Sequence, residues 1–194
     1  MNKETEKLII ESIESHQKMT NEFLVSGIEK VAEISHIIIK SLENNGTVYV
    51  CGNGGSAADA QHIASEFVGR FRRNRKALAA VALSTDTSIL TSVANDYSFE
   101  DIFSRQVQAL VEKGDILWAF STSGTSANVI AAVKLAKEIG ATVIGFTGKK
   151  NSELENISDI CLCADSQLTA QSQEIHQLAY HIICDLVEKH FAND

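Results

Sequence analysis

Five short apolar runs, at 47–51, 78–83, 115–120, 141–146 and 159–164, alternate with helical patterns and are nowhere joined by a hairpin signal. Strands that cannot return through a tight turn must be linked by crossovers. Crossover helices pack on both faces of the sheet they connect, so the pattern specifies an α/β fold with a five-stranded parallel sheet in a three-layer sandwich. The helical patterns fall at 56–72, 86–94, 99–112, 126–139 and 151–157, with Ser98 and Asp101 as a capping pair for the third. Proline is absent, so turns and helix ends are set by Gly, Ser, Thr, Asn and Asp.

Helical spacing also governs the two ends of the chain. Residues 2–45 read as amphipathic helix with a break near Met19–Asn21, with Ile9, Ile13, His16, Phe23, Gly27, Val31, Ile34, Ile38 and Leu42 recurring at helical spacing. Such a long helical lead before the first strand packs against another subunit or covers its own sheet. The last element, 170–192, has an apolar stripe of Ile175, Leu178, Ala179, Ile182, Leu186 and Val187. At 194 residues, the expectation is one domain over 1–194, with a helical extension at 1–45 packed on an α/β core at 46–194.

The net charge of −8 argues against a general nucleic-acid binder. No run reaches the roughly 20 apolar residues of a membrane span, and the acidic start MNKETEKLIIESIESHQ is unlike a secretory leader. The expectation is a soluble cytoplasmic protein without nucleic-acid or membrane partners. The four cysteines, Cys51, Cys161, Cys163 and Cys184, lack metal or redox spacing and read as small buried hydrophobes. The run Arg70, Arg72, Arg73, Arg75 and Lys76 reads as a solvated turn, or as a phosphate or subunit contact.

Two loops carry the chemistry. In TVYVCGNGGSAADAQHIASEF, at 47–67, a strand runs into Gly52, Gly54 and Gly55 and then into a helix. Glycine permits the tight turn and leaves backbone N–H groups free to face an anion. The helix places His62 and Glu66 four residues apart on one face, together with Asp59 and Arg70. In DILWAFSTSGTSANV, Ser121, Thr122, Ser123, Thr125 and Ser126 surround Gly124 where a helix begins. A helix cap needs one hydroxyl; this cluster suits a phosphate dianion at the positive end of the helix dipole. No Lys stands in P-loop position and neither loop is G-x-G-x-x-G, which disfavours nucleoside triphosphate hydrolysis and dinucleotide binding. In an open parallel sheet both loops lie at the carboxyl ends of strands, where ligands bind.

G-N-G-G-S-A-A-D-A-Q-H at 52–62, A-N-D-Y at 94–97, S-T-S-G at 121–124 and Q-E-x-H at 173–176 together resemble the sugar isomerase (SIS) domain. Within it, the chain is similar to the phosphoheptose isomerases, from its first helices to its last. The resemblance implies a flavodoxin-like sheet order and a ketose–aldose isomerisation. Sedoheptulose 7-phosphate and D-glycero-D-manno-heptose 7-phosphate would interconvert through an enediol, the first step of nucleotide-activated heptose synthesis. It implies Glu66 as the base and His181 as a second acid/base group. Ser121, Thr122, Ser123 and Ser126 would hold phosphate. Asn53, Gly54, Gly55, Ser56, Asn95, Asp96 and Gln173 would meet the sugar, with Arg70 near by. It further implies a zinc site from His62, Glu66, Gln173 and His181, and a homotetramer with sites between subunits. Gln173 is the weakest of those ligands chemically. A carboxylate on zinc is also a poorer base, so Glu66 either leaves the metal during turnover or another group moves the proton.

Two positions depart from the pattern: Gln171 stands where the family usually has Arg, and Thr125 where Asn or Lys is common. Loss of an Arg bears on anion binding and on the length of sugar preferred. The rival readings are a non-catalytic SIS-domain replication regulator that binds DnaA and a sugar-phosphate sensor. The first lacks the acidic residue and the histidine found here at 66 and 181; the second comes joined to a DNA-binding segment. His16, His176 and His190 read as structural.

Overall fold

The computed structural model describes residues 2–192; Met1, Asn193 and Asp194, the ends of the expected 1–194 domain, lie outside them. The chain runs α1 (Lys3–Ser26), α2 (Ile28–Glu43), β1 (Val48–Cys51), α3 (Gly55–Val68), β2 (Ala80–Ala82), α4 (Thr87–Asp96), a 3-10 turn (Phe99–Asp101) and α5 (Ser104–Leu110). It continues through β3 (Ile116–Ser121), α6 (Ala127–Ile139), β4 (Thr142–Thr147), α7 (Glu153–Ile157), β5 (Ile160–Cys163) and α8 (Thr169–Phe191). All strand pairs are parallel, in the order β2-β1-β3-β4-β5. That flavodoxin-like order reverses between β1 and β3, and the crevice at their carboxyl ends is the ligand position for such a sheet.

Alternation along β3 divides the core. Ile116, Trp118 and Phe120 face α2, α3 and α8, whereas Leu117 and Ala119 face α5, α6 and α7. All six β3 residues are buried, as a central strand covered on both faces requires. These are the three expected layers.

Several boundaries differ from the sequence reading. The first helix breaks at Gly27, not near Met19–Asn21, and the Phe23 ring packs into the space that a Cβ at 27 would occupy, 2.2 Å away. The third helix ends at Val68 instead of 72, and the pattern at 99–112 divides into the 3-10 turn and α5. There Ser98 caps the turn, bonding both the Glu100 amide and the Asp101 carboxylate. Cys51 and Cys184 are buried, but Cys161 and Cys163 are only half-buried on the edge strand β5.

The stripe on α8 is rotated from the expected one. Ile175, His176, Ala179, Tyr180, Ile183, Cys184 and Val187 face the core, whereas Ile182 and Leu186 are exposed. The helix has a second apolar face, and periodicity alone merged the two. Helix α1 buries no residue and exposes Leu8, Ile9, Ile10 and Ile13.

Candidate active site

The two loops meet at the crevice between β1 and β3. Asn53 and Asn128 exchange amide hydrogen bonds of 2.8 and 2.9 Å, joining the glycine turn to the first turn of α6. Asn128 gave no signal in the sequence beyond its helical position. A cavity of about 290 Å3 opens there, lined by Asn53, Gly54, Gly55, Ser56, Ser121, Thr122, Ser126 and Gln173, with Phe120 as its apolar wall. Thr169, at the start of α8, also lines it and was not singled out by any motif. A Cβ on Gly55 would stand 2.3 Å from Nε2 of Gln173, so glycine is what admits the Gln173 amide.

The hydroxyl loop is built around Ser121. Its Oγ accepts from the Gly124 amide at 3.1 Å and lies 2.9 Å from Ser126 Oγ. Gly124 has φ +69, and a Cβ there would meet Ser152 at 2.2 Å, so both conformation and space demand glycine. Ser126 occupies the N-cap position of α6 but makes no side-chain cap. The first amides of α6 are therefore left without a side-chain cap beside the cavity, which suits an anion. Ser123 is exposed and bonds Thr125.

Beneath this loop, His176 is fully buried and its Nε2 lies 3.1 Å from the Thr147 carbonyl oxygen. Thr147 pairs with Ser121 in the sheet register, so this histidine ties α8 to the strand end beside the hydroxyl loop. Burial pulls its pKa down to about 4, against the raising effect of the Thr147 bond. A neutral structural role follows.

A second group lies farther along α3, where the helix runs alongside α8. His62 Nε2 is 3.1 Å from Glu66 Oε1. The Tyr180 hydroxyl donates to Asp59 Oδ1 at 3.4 Å and stands 3.0 Å from His62 Nδ1. The two ring nitrogens of His62 are thus divided between Tyr180, at Nδ1, and the Glu66 carboxylate, at Nε2. Burial raises the Asp59 pKa to about 6, opposed by the Tyr180 bond and by His62, and Asp59 Oδ2 is buried without a partner among the described residues. Sequence motifs singled out Asp59 only as a member of the His62 face, and Tyr180 not at all.

His181 completes this group, its ring 4.9 Å from that of His62 and nearly perpendicular to it. Its pKa is lowered, first by burial and then by His62, with Glu66 pulling the other way. A histidine so placed is neutral at pH 7 and able to accept a proton.

Not every expected residue joins these two groups. Asn95 and Asp96 are exposed at the end of α4 and bond each other. Arg70 is exposed beyond the end of α3, not on the His62 and Glu66 face. The remainder of the basic run is solvated only in part: Arg72 and Lys76 are exposed, whereas Arg75 has a side chain 1% exposed, 3.8 Å from the equally buried Glu188. Gln171 bonds Ser15 and Ser166, tying α1 to the start of α8.

Among the described residues, no group of three His, Cys, Asp or Glu side chains is arranged to hold a metal ion. The donor chemistry nevertheless suits zinc, which takes imidazole and carboxylate. The Tyr180 and Asp59 pair behind His62 is the outer shell that a metal-bound imidazole needs. Gln173 leaves α8 about 12 Å from His181 along the helix axis, and its amide lies against Gly55.

The SIS domain family matches residues 11–148. A phosphoheptose isomerase from Clostridium acetobutylicum is 49% identical over 184 residues, covering 95% of this chain and 93% of its own. The solved phosphoheptose isomerase of Neisseria gonorrhoeae superposes with a TM-score of 0.90 at 39% identity, over 95% of this chain and 99% of its own. That of Francisella tularensis gives 0.92 at 35%, over 97% and 100%. The glycine turn, the hydroxyl loop and the His62, Glu66 and His181 group thus stand on a shared fold, and the chain belongs to the phosphoheptose isomerase family of SIS-domain proteins.

Proposed function

We propose that this chain interconverts sedoheptulose 7-phosphate and D-glycero-D-manno-heptose 7-phosphate in the cytoplasm, supplying activated heptose for lipopolysaccharide or capsule. The observation that carries the reading is the grouping of Glu66, its side chain 17% exposed, with His62 at 3.1 Å and a neutral His181 close by. It stands along the same helix as the cavity lined by hydroxyls.

Phosphate binds at Ser121, Thr122, Ser126 and the first amides of α6, with Ser123 at the rim. The sugar chain extends past the glycine turn toward Glu66. Glu66 takes a proton from C1 of the ketose, leaving an enediolate with its charge on the C2 oxygen, and the neutral His181 takes the proton of the C1 hydroxyl and passes it to the C2 oxygen. Glu66 then returns its proton at C2 as the C1 oxygen becomes the carbonyl, leaving the aldose. One carboxylate serves both carbons because they are adjacent, and one imidazole serves both oxygens.

His62, Glu66, His181 and Gln173 would hold zinc, one ion per subunit, and the metal would polarise the substrate carbonyl. The separation of Gln173 from His181 on α8 supports a homotetramer in which one copy completes the site of another. The exposed apolar residues of α1 and α8 support the same assembly. Asn95, Asp96 and Arg70 are then available to a site on a neighbouring copy.

The test is purified protein incubated with sedoheptulose 7-phosphate after zinc loading or chelation, with the aldose followed by NMR. Formation of the aldose that is lost on chelation and restored by zinc is expected. Absence of turnover of any seven-carbon sugar phosphate by zinc-loaded protein would overturn the reading.

A further inference from the structure

His181 makes no hydrogen bond among the described residues, and three rings pack against it. His62 and Tyr180 meet it edge-on at 4.9 and 4.7 Å, and Phe71 stacks on it at 5.6 Å with 30° between planes. His62 and Tyr180 stand on helices. Phe71 stands in the segment between α3 and β2, which has no helix or strand of its own at that point and carries five cations.

That segment is held from below. Glu188 lies seven residues after His181 on α8 and is 1% exposed. Its carboxylate accepts from the backbone amides of Phe71, Arg72 and Arg73 at 2.7, 2.7 and 2.8 Å. Arg75 closes the other side, donating to the carbonyl oxygens of Glu66 and Gly69 at the end of α3. Burial works against ionisation of Glu188, but the three amides and Arg75 outweigh it and hold its pKa below the usual carboxylate value. A buried charge is expensive to leave unpaired, so the backbone of 71–73 is strongly restrained. The Arg72 guanidinium, 5.0 Å over the Phe71 ring, adds a second contact.

We propose that Phe71 and Glu188 are positioning residues for His181: Glu188 clamps the 71–73 backbone, and the clamped Phe71 ring sets the plane of the His181 imidazole. An imidazole that makes no hydrogen bond to its surroundings takes its χ2 angle from the rings packed against it, and proton transfer depends steeply on donor and acceptor geometry. The proposal rests on the assignment of His181 to proton transfer.

The test combines spectroscopy with kinetics on the whole protein. The Cε1–H resonance of His181 is assigned by its loss in His181→Gln. In Phe71→Leu that resonance is expected to move as the ring current disappears, and kcat to fall about tenfold with KM within about twofold. Phe71→Tyr should restore both, and Glu188→Gln should shift both in the direction of Phe71→Leu. An unmoved resonance in Phe71→Leu overturns the proposal, with or without a loss of kcat, because no effect would then pass through the ring. Wild-type turnover by His181→Gln would instead overturn the role of His181 in catalysis, while the resonance would still decide whether Phe71 places the ring.

Discussion

The Tyr180 hydroxyl stands 3.0 Å from Nδ1 of His62 and 3.4 Å from Asp59, so a residue on the last helix determines which nitrogen of a first-loop histidine faces Glu66. Tyr180 is fully buried, and both burial and Asp59 raise its pKa. It therefore remains a neutral phenol across the working range of pH. Tyr180→Phe keeps the ring and removes only that link. We expect kcat to fall about ten- to a hundredfold, as when outer-shell partners of a functional histidine are lost. The same change should cost about 1 kcal/mol of stability, and steady-state kinetics with urea unfolding separates the two.

Glu66 has one side-chain hydrogen bond, to His62, so Glu66→Gln should fold and assemble as the parent does. Loss of a general base should reduce turnover by about 10²–10⁴. Near-normal activity, with light scattering confirming an unchanged particle, would remove Glu66 as the base.

Ser126 does not cap α6, so Ser126→Ala should leave the helix intact, removing the contact with Ser121 Oγ and the hydroxyl offered to the ligand. A hydrogen bond to a charged group contributes about 1.5–3 kcal/mol, which is roughly ten- to a hundredfold in KM for the sugar phosphate. The inhibition constant of inorganic phosphate should weaken in parallel, and a change in kcat without one in KM would contradict the assignment.

His176 has a pKa of about 4 in the fold against an ordinary 6.5. The unfolded chain therefore takes up a proton that the folded one refuses. The stabilising effect is complete above pH 6.5 and is lost as pH falls toward 4, by about 3 kcal/mol in all. Urea unfolding from pH 7.5 to 4.5 should show this slope, and His176→Gln, which can still donate to Thr147, should flatten it. An unchanged slope in the variant would place the effect elsewhere.

Local chemistry made much of this protein readable. The absence of hairpin signals and the alternation of strand and helix required a parallel sheet with two covered faces. Glycines and hydroxyls marked both loops, since tight turns and anion cradles each need particular residue types. Spacing put His62 and Glu66 on one face of α3, because a helix repeats its faces every three to four residues.

Other features had no local signature. Tyr180 belongs to no motif and lies outside the expected stripe, and only the packing of α8 along α3 makes it a bridge between Asp59 and His62. Glu188 belongs to no motif, yet it is buried under the 71–73 backbone. The basic run looked solvated because sequence shows charge but not what lies opposite it. Residues 62 and 181 are brought together by the fold, through contacts that depend on distant parts of the chain and on no neighbour in sequence. The sequence by itself determined the layers, the loops and the donors on each helix; the tertiary structure alone decided which donors face one another.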